Sequence, residues 1–132
     1  MTRQFDVVAI DMDGTLLSSQ HTLSAGNEAA LRRALKAGVQ IIFATGKTRT
    51  SAVPIIEKLG LETPGVYSQG LVIYHGDGSV LYERTLDEAL AHKVAALAEA
   101  ANISMVAYSG ANIVTSVRDA FTDVFIRYHE PT

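Results

Sequence analysis

Hydrophobic and polar positions along this chain follow two alternating periods. Residues 5–10 (FDVVAI) form a short apolar run rich in β-branched side chains, the pattern of a buried strand. From residue 24 to about 37 the apolar positions recur at helical spacing. Leu31, Ala34 and Leu35 form an inner face and Glu28, Arg32, Arg33 and Lys36 an outer one; Ser24 is placed to cap the helix and Gly38 to stop it. Residues 39–44 (VQIIFA) predict a second buried strand. A second helix fits residues 50–59, where Pro54 is tolerable only near the first turn and Gly60 ends the run. Residues 66–73 (VYSQGLVI) predict the third strand. A β-α-β-α-β order implies a parallel sheet with right-handed crossovers.

The pattern then changes. "YHGDGSVLYER" has the form of a hairpin, with Gly76-Asp77-Gly78 at its turn. Residues 87–101 predict an alanine-rich amphipathic helix with Leu90, Val94, Leu97 and Ala101 on one face. "ISMVAYSGANIVTSV" predicts two strands joined at Gly110-Ala111-Asn112. The expected fold class is α/β, a Rossmann-like parallel sheet over residues 1–82, followed by the start of an α+β unit over 83–132. No internal repeat, low-complexity tract or flexible linker interrupts it.

Composition narrows the function classes. At 132 residues and 48% hydrophobic, the chain can bury a real core. A net charge of −3 and scattered Lys and Arg give no case for a nucleic-acid partner. There is no cysteine, hence no disulfide framework and no thiolate metal site, which suits a reducing compartment. No apolar run is long enough to span a bilayer, and "MTRQFDVV" has no signal-peptide core. The expectation is a soluble cytoplasmic protein, or one in an organelle matrix, with no membrane partner.

The chemistry gathers at strand ends. "VVAIDMDGTLL" carries an apolar run into Asp11 and Asp13 and breaks at Gly14 and Thr15. Thr45, Gly46 and Lys47 follow the second strand, with Arg49 close behind; Gln69 and Gly70 lie in the segment of the third. Open α/β sheets bind ligands beyond the carboxyl ends of their strands, so neighbouring strands would bring these groups to one crevice. Thr45 offers a hydroxyl, Gly14 and Gly46 exposed backbone amides, and Lys47 and Arg49 positive charge. Carboxylates facing donors and cations suit a divalent metal and an anion between them. A carboxylate there can attack phosphorus, a divalent cation offsets the charge repulsion, and a second carboxylic acid can move the protons.

"DMDGTLL" resembles the first signature of the haloacid dehalogenase superfamily, and "ATGKTR" its second. The further course resembles the Cof-like branch, in which a large α/β cap is inserted after the third core strand. That resemblance implies a Mg²⁺-dependent phosphatase of small phosphorylated metabolites such as sugar phosphates, working through an aspartyl-phosphate. Asp11 would be nucleophile and metal ligand. Asp13 would be general acid/base, with its carbonyl on the metal. Thr45 would hold the phosphoryl group, helped by the loop amides of Met12, Gly14 and Thr15 and by Gly46, Lys47 and Gln69. Gln69 stands where Cof-like relatives usually have asparagine, and Lys47 where many have arginine.

The resemblance reaches nearly the whole chain but about half of the family's length. The family's lysine and its later acidic metal ligands lie beyond the matching part. Lys58 and Lys93 fall on helices elsewhere; "GDGS" at 76–79 fits a turn; Asp119 and Asp123 have a metal-like spacing without the family's glycine. His21, His75, His92 and His129 show no metal-ligand spacing. In the family a later strand flanks the one bearing Asp11. Strand 5–10 would therefore expose an edge, covered in a homo-oligomer or by a second chain, or the chain is truncated. A phosphomutase and a non-catalytic assembly module are the alternative functions.

Overall fold

The computed structural model describes residues 4–132. It divides into two compact units, one ending at Glu83 and one running from Arg84 to Thr132.

In the first unit β1 (Val7–Ile10) lies parallel to β2 (Gln40–Phe43), with Ile10 opposite Phe43. Between them α1 (Ala25–Lys36) starts at Ser24, whose hydroxyl accepts the Asn27 N–H at 3.1 Å. Leu31 is buried while Ala34 and Leu35 pack against the core, as helical spacing predicts. Beyond β2, α2 (Arg49–Leu59) begins at its cap Thr48 and ends at Gly60, whose φ of 64° lies in the left-handed region a helix stop uses. The helix starts one residue before the expected position and has Pro54 in its second turn, where it withholds the N–H that would bond to the carbonyl four residues back. β3 (Gly65–Tyr67) joins β2 through a single parallel bridge, Ala44 to Val66, and the Thr45 N–H bonds to the Val66 carbonyl at 3.0 Å. The parallel β-α-β-α-β course therefore stands.

The third strand does not run through residues 66–73. It breaks at a tight turn, Ser68–Gly70, and returns antiparallel as β4 (Val72–Tyr74). Ser68, Gln69 and Gly70 all have positive φ, of 51°, 59° and 89°, a run that no continuous strand accommodates. β5 (Val80–Glu83) then pairs with β4 across the Gly76-Asp77-Gly78 turn. The core beneath the β1–β2 pair and its helices holds Met12, Leu31, Ile41, Phe43, Ala52, Leu59 and Tyr67. Truncating a buried aromatic such as Phe43 to alanine costs about 3–5 kcal/mol, so this cluster anchors the unit.

In the second unit α3 (Glu88–Ala100) is capped by Asp87 through the Leu90 N–H at 3.1 Å. None of its residues is buried: the predicted apolar face forms, with Leu90, Val94 and Leu97 exposed. β6 (Ala107–Ser109) and β7 (Asn112–Val114) form a hairpin around a buried Ile113, and α4 (Val124–Arg127) closes the unit.

Candidate active site

At the carboxyl ends of β1 and β2 the chain leaves the sheet in two adjoining loops. Because Ile10 faces Phe43 and the Ala44 N–H bonds to the Ile10 carbonyl at 3.0 Å, Asp11 and Thr45 exit side by side. After β1 comes one wide turn, Met12–Leu16, closed by bonds from Leu16 N–H to the Asp11 carbonyl (3.3 Å) and from Leu17 N–H to the Met12 carbonyl (2.8 Å). Asp11 and Asp13 both keep extended backbone, and Met12 between them is fully buried. The apolar side chain pins the loop to the core and leaves the two acids on its outer side. Gly14, at φ 74°, supplies the left-handed bend that follows.

The two carboxylates have different surroundings. Asp11 is exposed, and its Oδ2 accepts a long bond from the Thr15 hydroxyl at 3.3 Å. Asp13 is held from two sides. His21 Nδ1 lies 2.8 Å from its Oδ1, and Lys47 Nζ lies 3.2 Å from its Oδ2. Lys47 is only 5% exposed, and a buried ammonium needs such a counter-charge. Its loop is equally tied: the Lys47 N–H donates to Thr45 Oγ1 at 3.2 Å, and its carbonyl accepts the Ser68 N–H at 2.8 Å. Thr45 is buried beside it.

Gln69 reaches the same loop from the turn after β3. A Cβ placed on Gly46 would come within 2.3 Å of Gln69 Nε2, so the glycine is what lets this amide lie against the loop. Arg49 does not join them as the charge pattern suggested. Its Nη2 donates to the Gly76 carbonyl at 3.3 Å and its guanidinium lies over the Tyr74 ring at 5.7 Å, so it braces the β4–β5 turn. Nearby, burial pushes the Tyr67 phenol above its ordinary pKa against an opposing effect of Arg49.

His21 carries the largest departure from the sequence reading, which gave it no role. It sits at the tip of a small hairpin closed by the Leu17–Leu23 bridge, and the imidazole folds back onto Asp13, eight residues earlier. The polar cluster Ser18 to Thr22 signals a turn, but no spacing rule signals the contact. The other acidic candidates are engaged locally. Asp77 Oδ1 accepts the Ser79 N–H and hydroxyl, Asp119 binds Ser104, Phe121 and Thr122, and Asp123 pairs with Arg118 at 2.9 Å. Lys58 pairs with Glu28 on α1.

By the family resemblance a divalent cation would take the Asp11 carboxylate and the Asp13 carbonyl; no group of three or more His, Asp or Glu is gathered among the described residues. These are hard oxygen donors. Mg²⁺ commonly takes one or two protein carboxylates and completes its shell with water and phosphate, so the set fits that ion.

Loop amides, the Thr45 hydroxyl and the Gln69 amide lie at this sheet edge, next to one open and one held carboxylate. That geometry is matched by sequence: the family model of haloacid dehalogenase-like hydrolases covers residues 8–131, and the chain belongs to that family. It is similar to phosphatase YwpJ of Bacillus subtilis, 34% identical over 109 residues, which is 83% of this chain and 38% of that protein. It is also 31% identical over 138 aligned positions to the chloroplastic endoribonuclease YBEY of Arabidopsis thaliana, covering 97% of this chain and 24% of that one. Among solved structures, a haloacid dehalogenase-like hydrolase from B. subtilis superposes with a TM-score of 0.78 at 32% identity, over 91% of this chain and 42% of its own. The chain thus spans well under half the length of these relatives and corresponds to the N-terminal part of the family fold.

Proposed function

We propose that this chain carries the nucleophile-bearing part of a Mg²⁺-dependent phosphohydrolase acting on small phosphorylated metabolites in the cytoplasm. The observation that carries the reading is the unequal treatment of the two acids: Asp11 open, Asp13 held by His21 and Lys47. An open carboxylate at a strand end is placed to attack phosphorus, and a fixed neighbour is placed to move protons. In the first half-reaction a bond forms from Asp11 to phosphorus while the bond to the leaving oxygen breaks, and Asp13 gives that oxygen its proton. In the second, Asp13 takes a proton from water, whose oxygen attacks phosphorus and frees Asp11 and inorganic phosphate.

Mg²⁺, held by the Asp11 carboxylate and the Asp13 carbonyl, would offset the negative charge that carboxylate and phosphate bring together. Thr45, the loop amides of Met12, Gly14, Thr15 and Gly46, and the Gln69 amide would orient the phosphoryl group. Residues beyond 83 would begin a cap that limits the site to small substrates. A net charge of −3 supports a small substrate over a polyanion. The outer edge of β1 would pair with a further strand, from the rest of the family fold or from another chain.

The test is hydrolysis of an aryl phosphate with and without Mg²⁺, beside Asp11→Asn. Metal-dependent turnover that falls on the order of 10³-fold or more in Asp11→Asn supports the reading. Turnover indifferent to Asp11 refutes it. Phosphate binding without turnover would identify a non-catalytic module.

A further inference from the structure

We propose that His21 is a positioning residue for Asp13, its Nδ1–H holding one carboxylate oxygen while Lys47 holds the other. The inference rests on the phosphohydrolase reading and adds to it a residue outside both signature segments. A carboxyl group turns readily about its last side-chain bond, whose torsional preference is broad. One flexible ammonium supplies a point charge and cannot by itself fix the plane of the group. Two donors on different oxygens can. His21 Nδ1 is 2.8 Å from Oδ1 and Lys47 Nζ is 3.2 Å from Oδ2. A hydrogen bond from the ring to Oδ1 requires the proton on Nδ1, and we assign it there.

The imidazole is itself held in place. Ser18 N–H bonds to the Thr22 carbonyl at 2.9 Å and His21 N–H to the Ser18 carbonyl at 2.9 Å; the hydroxyls of Ser18 and Thr22 meet at 2.9 Å. This tip sets His21 at φ 55°, a left-handed conformation that histidine, like asparagine and aspartate, adopts more readily than most residues other than glycine. Backbone of this kind persists where the surroundings enforce it, and here it aims the ring at Asp13. Proton transfer needs the carboxyl oxygen within hydrogen-bond reach and in line, so loss of orientation acts on the proton-transfer step.

Three substitutions in the full chain separate the ring contact from the turn. His21→Asn accepts the φ and can present its amide N–H where Nδ1 lies. His21→Gly accepts the φ without a donor, and His21→Gln places its amide one bond too far. With Mg²⁺ present, kcat/KM for glycerol 2-phosphate, a poor leaving group, is expected to fall about 10- to 100-fold in the Gly and Gln variants and to stay near the unsubstituted level in Asn. p-Nitrophenyl phosphate, whose leaving group needs little protonation, is expected to lose much less. A Gly variant as active as Asn, or equal losses on both substrates, would overturn the proposal. Independently of turnover, the ¹⁵N resonance of His21 Nδ1 is expected to show a bound proton and to shift in Asp13→Ala; a bare or unmoved Nδ1 also overturns it. If the unsubstituted chain hydrolyses neither substrate, this part does not turn over on its own, and the nitrogen resonance decides whether His21 holds Asp13.

Discussion

Two glycines show how the same residue type serves different ends. At Gly46 an added Cβ would meet the far end of the Gln69 side chain at 2.3 Å, and an exposed amide can swing away. At Gly76 it would come within 1.9 Å of the Glu62 carbonyl oxygen, where backbone has to move. Gly46→Ala is therefore expected to cost only about 0.5–1 kcal/mol in urea unfolding while weakening phosphate binding, as Gln69 is displaced. Gly76→Ala is expected to cost roughly 2–3 kcal/mol or more, with little direct effect on the site. Equal losses of stability would contradict this account. Met12 makes a related point: in the motif it reads as a spacer between two acids, and in the fold it is the buried pin that keeps them outward.

Elements explain where pattern reading succeeded and where it stopped. Helix α1 begins at Ser24, the cap read from the sequence, while α2 and α3 begin at Thr48 and Asp87, residues of the same capping chemistry that the pattern reading did not single out. The break in the third strand was not, because "VYSQGLVI" keeps strand-like composition while Ser68 and Gln69 turn left-handed. In the second unit, Asp119 organises a turn instead of a metal loop. The Ser104 hydroxyl, followed by the Thr122 and Phe121 amides, holds its carboxyl below the usual aspartate pKa. A lowered folded value means the contribution to stability is present above the unfolded pKa and is lost as pH falls through the folded one. Asp119→Asn should therefore melt earlier than the unsubstituted chain at neutral pH, and the gap should close in acid below the ordinary aspartate range. A gap that persists there would assign the effect to something other than ionisation.

At the scale of the whole molecule, β1 is the feature that asks for company. Gln40 N–H bonds to the Asp6 carbonyl and Ala44 N–H to the Ile10 carbonyl, so even-numbered residues of this segment face β2, and Val7 and Ala9 turn their backbone to the other side. Among the described residues β2 is the strand that pairs with β1, and Val7 and Val8 are 47% and 37% exposed. Sedimentation at rising concentration is expected to show self-association that Ala9→Pro reduces, since proline removes an outward amide and spares the bonds to β2. Association unchanged in Ala9→Pro would place the contact elsewhere. Metal binding also belongs to this scale. On the proposed reading, with one carboxylate and one carbonyl as protein ligands, Mg²⁺ is expected to bind weakly alone and more tightly with phosphate, each strengthening the other by the same factor in calorimetric titrations. Tight binding without phosphate would point to further protein ligands.

The sequence by itself determined the strand–helix order as far as α2, the start of α1 at Ser24 and the end of α2 at Gly60, and the placing of Asp11, Asp13 and Thr45 at strand ends, because each rests on period, capping chemistry or a short motif. Tertiary structure alone decided which charges meet. It turned Arg49 toward Gly76, buried Lys47 against Asp13, and folded His21 back onto the same carboxylate. These contacts join segments whose spacing follows no period, and they depend on how two loops and a hairpin pack above one sheet edge. A contact of that kind is set by the packing of the core beneath it, and no local run of residues encodes it.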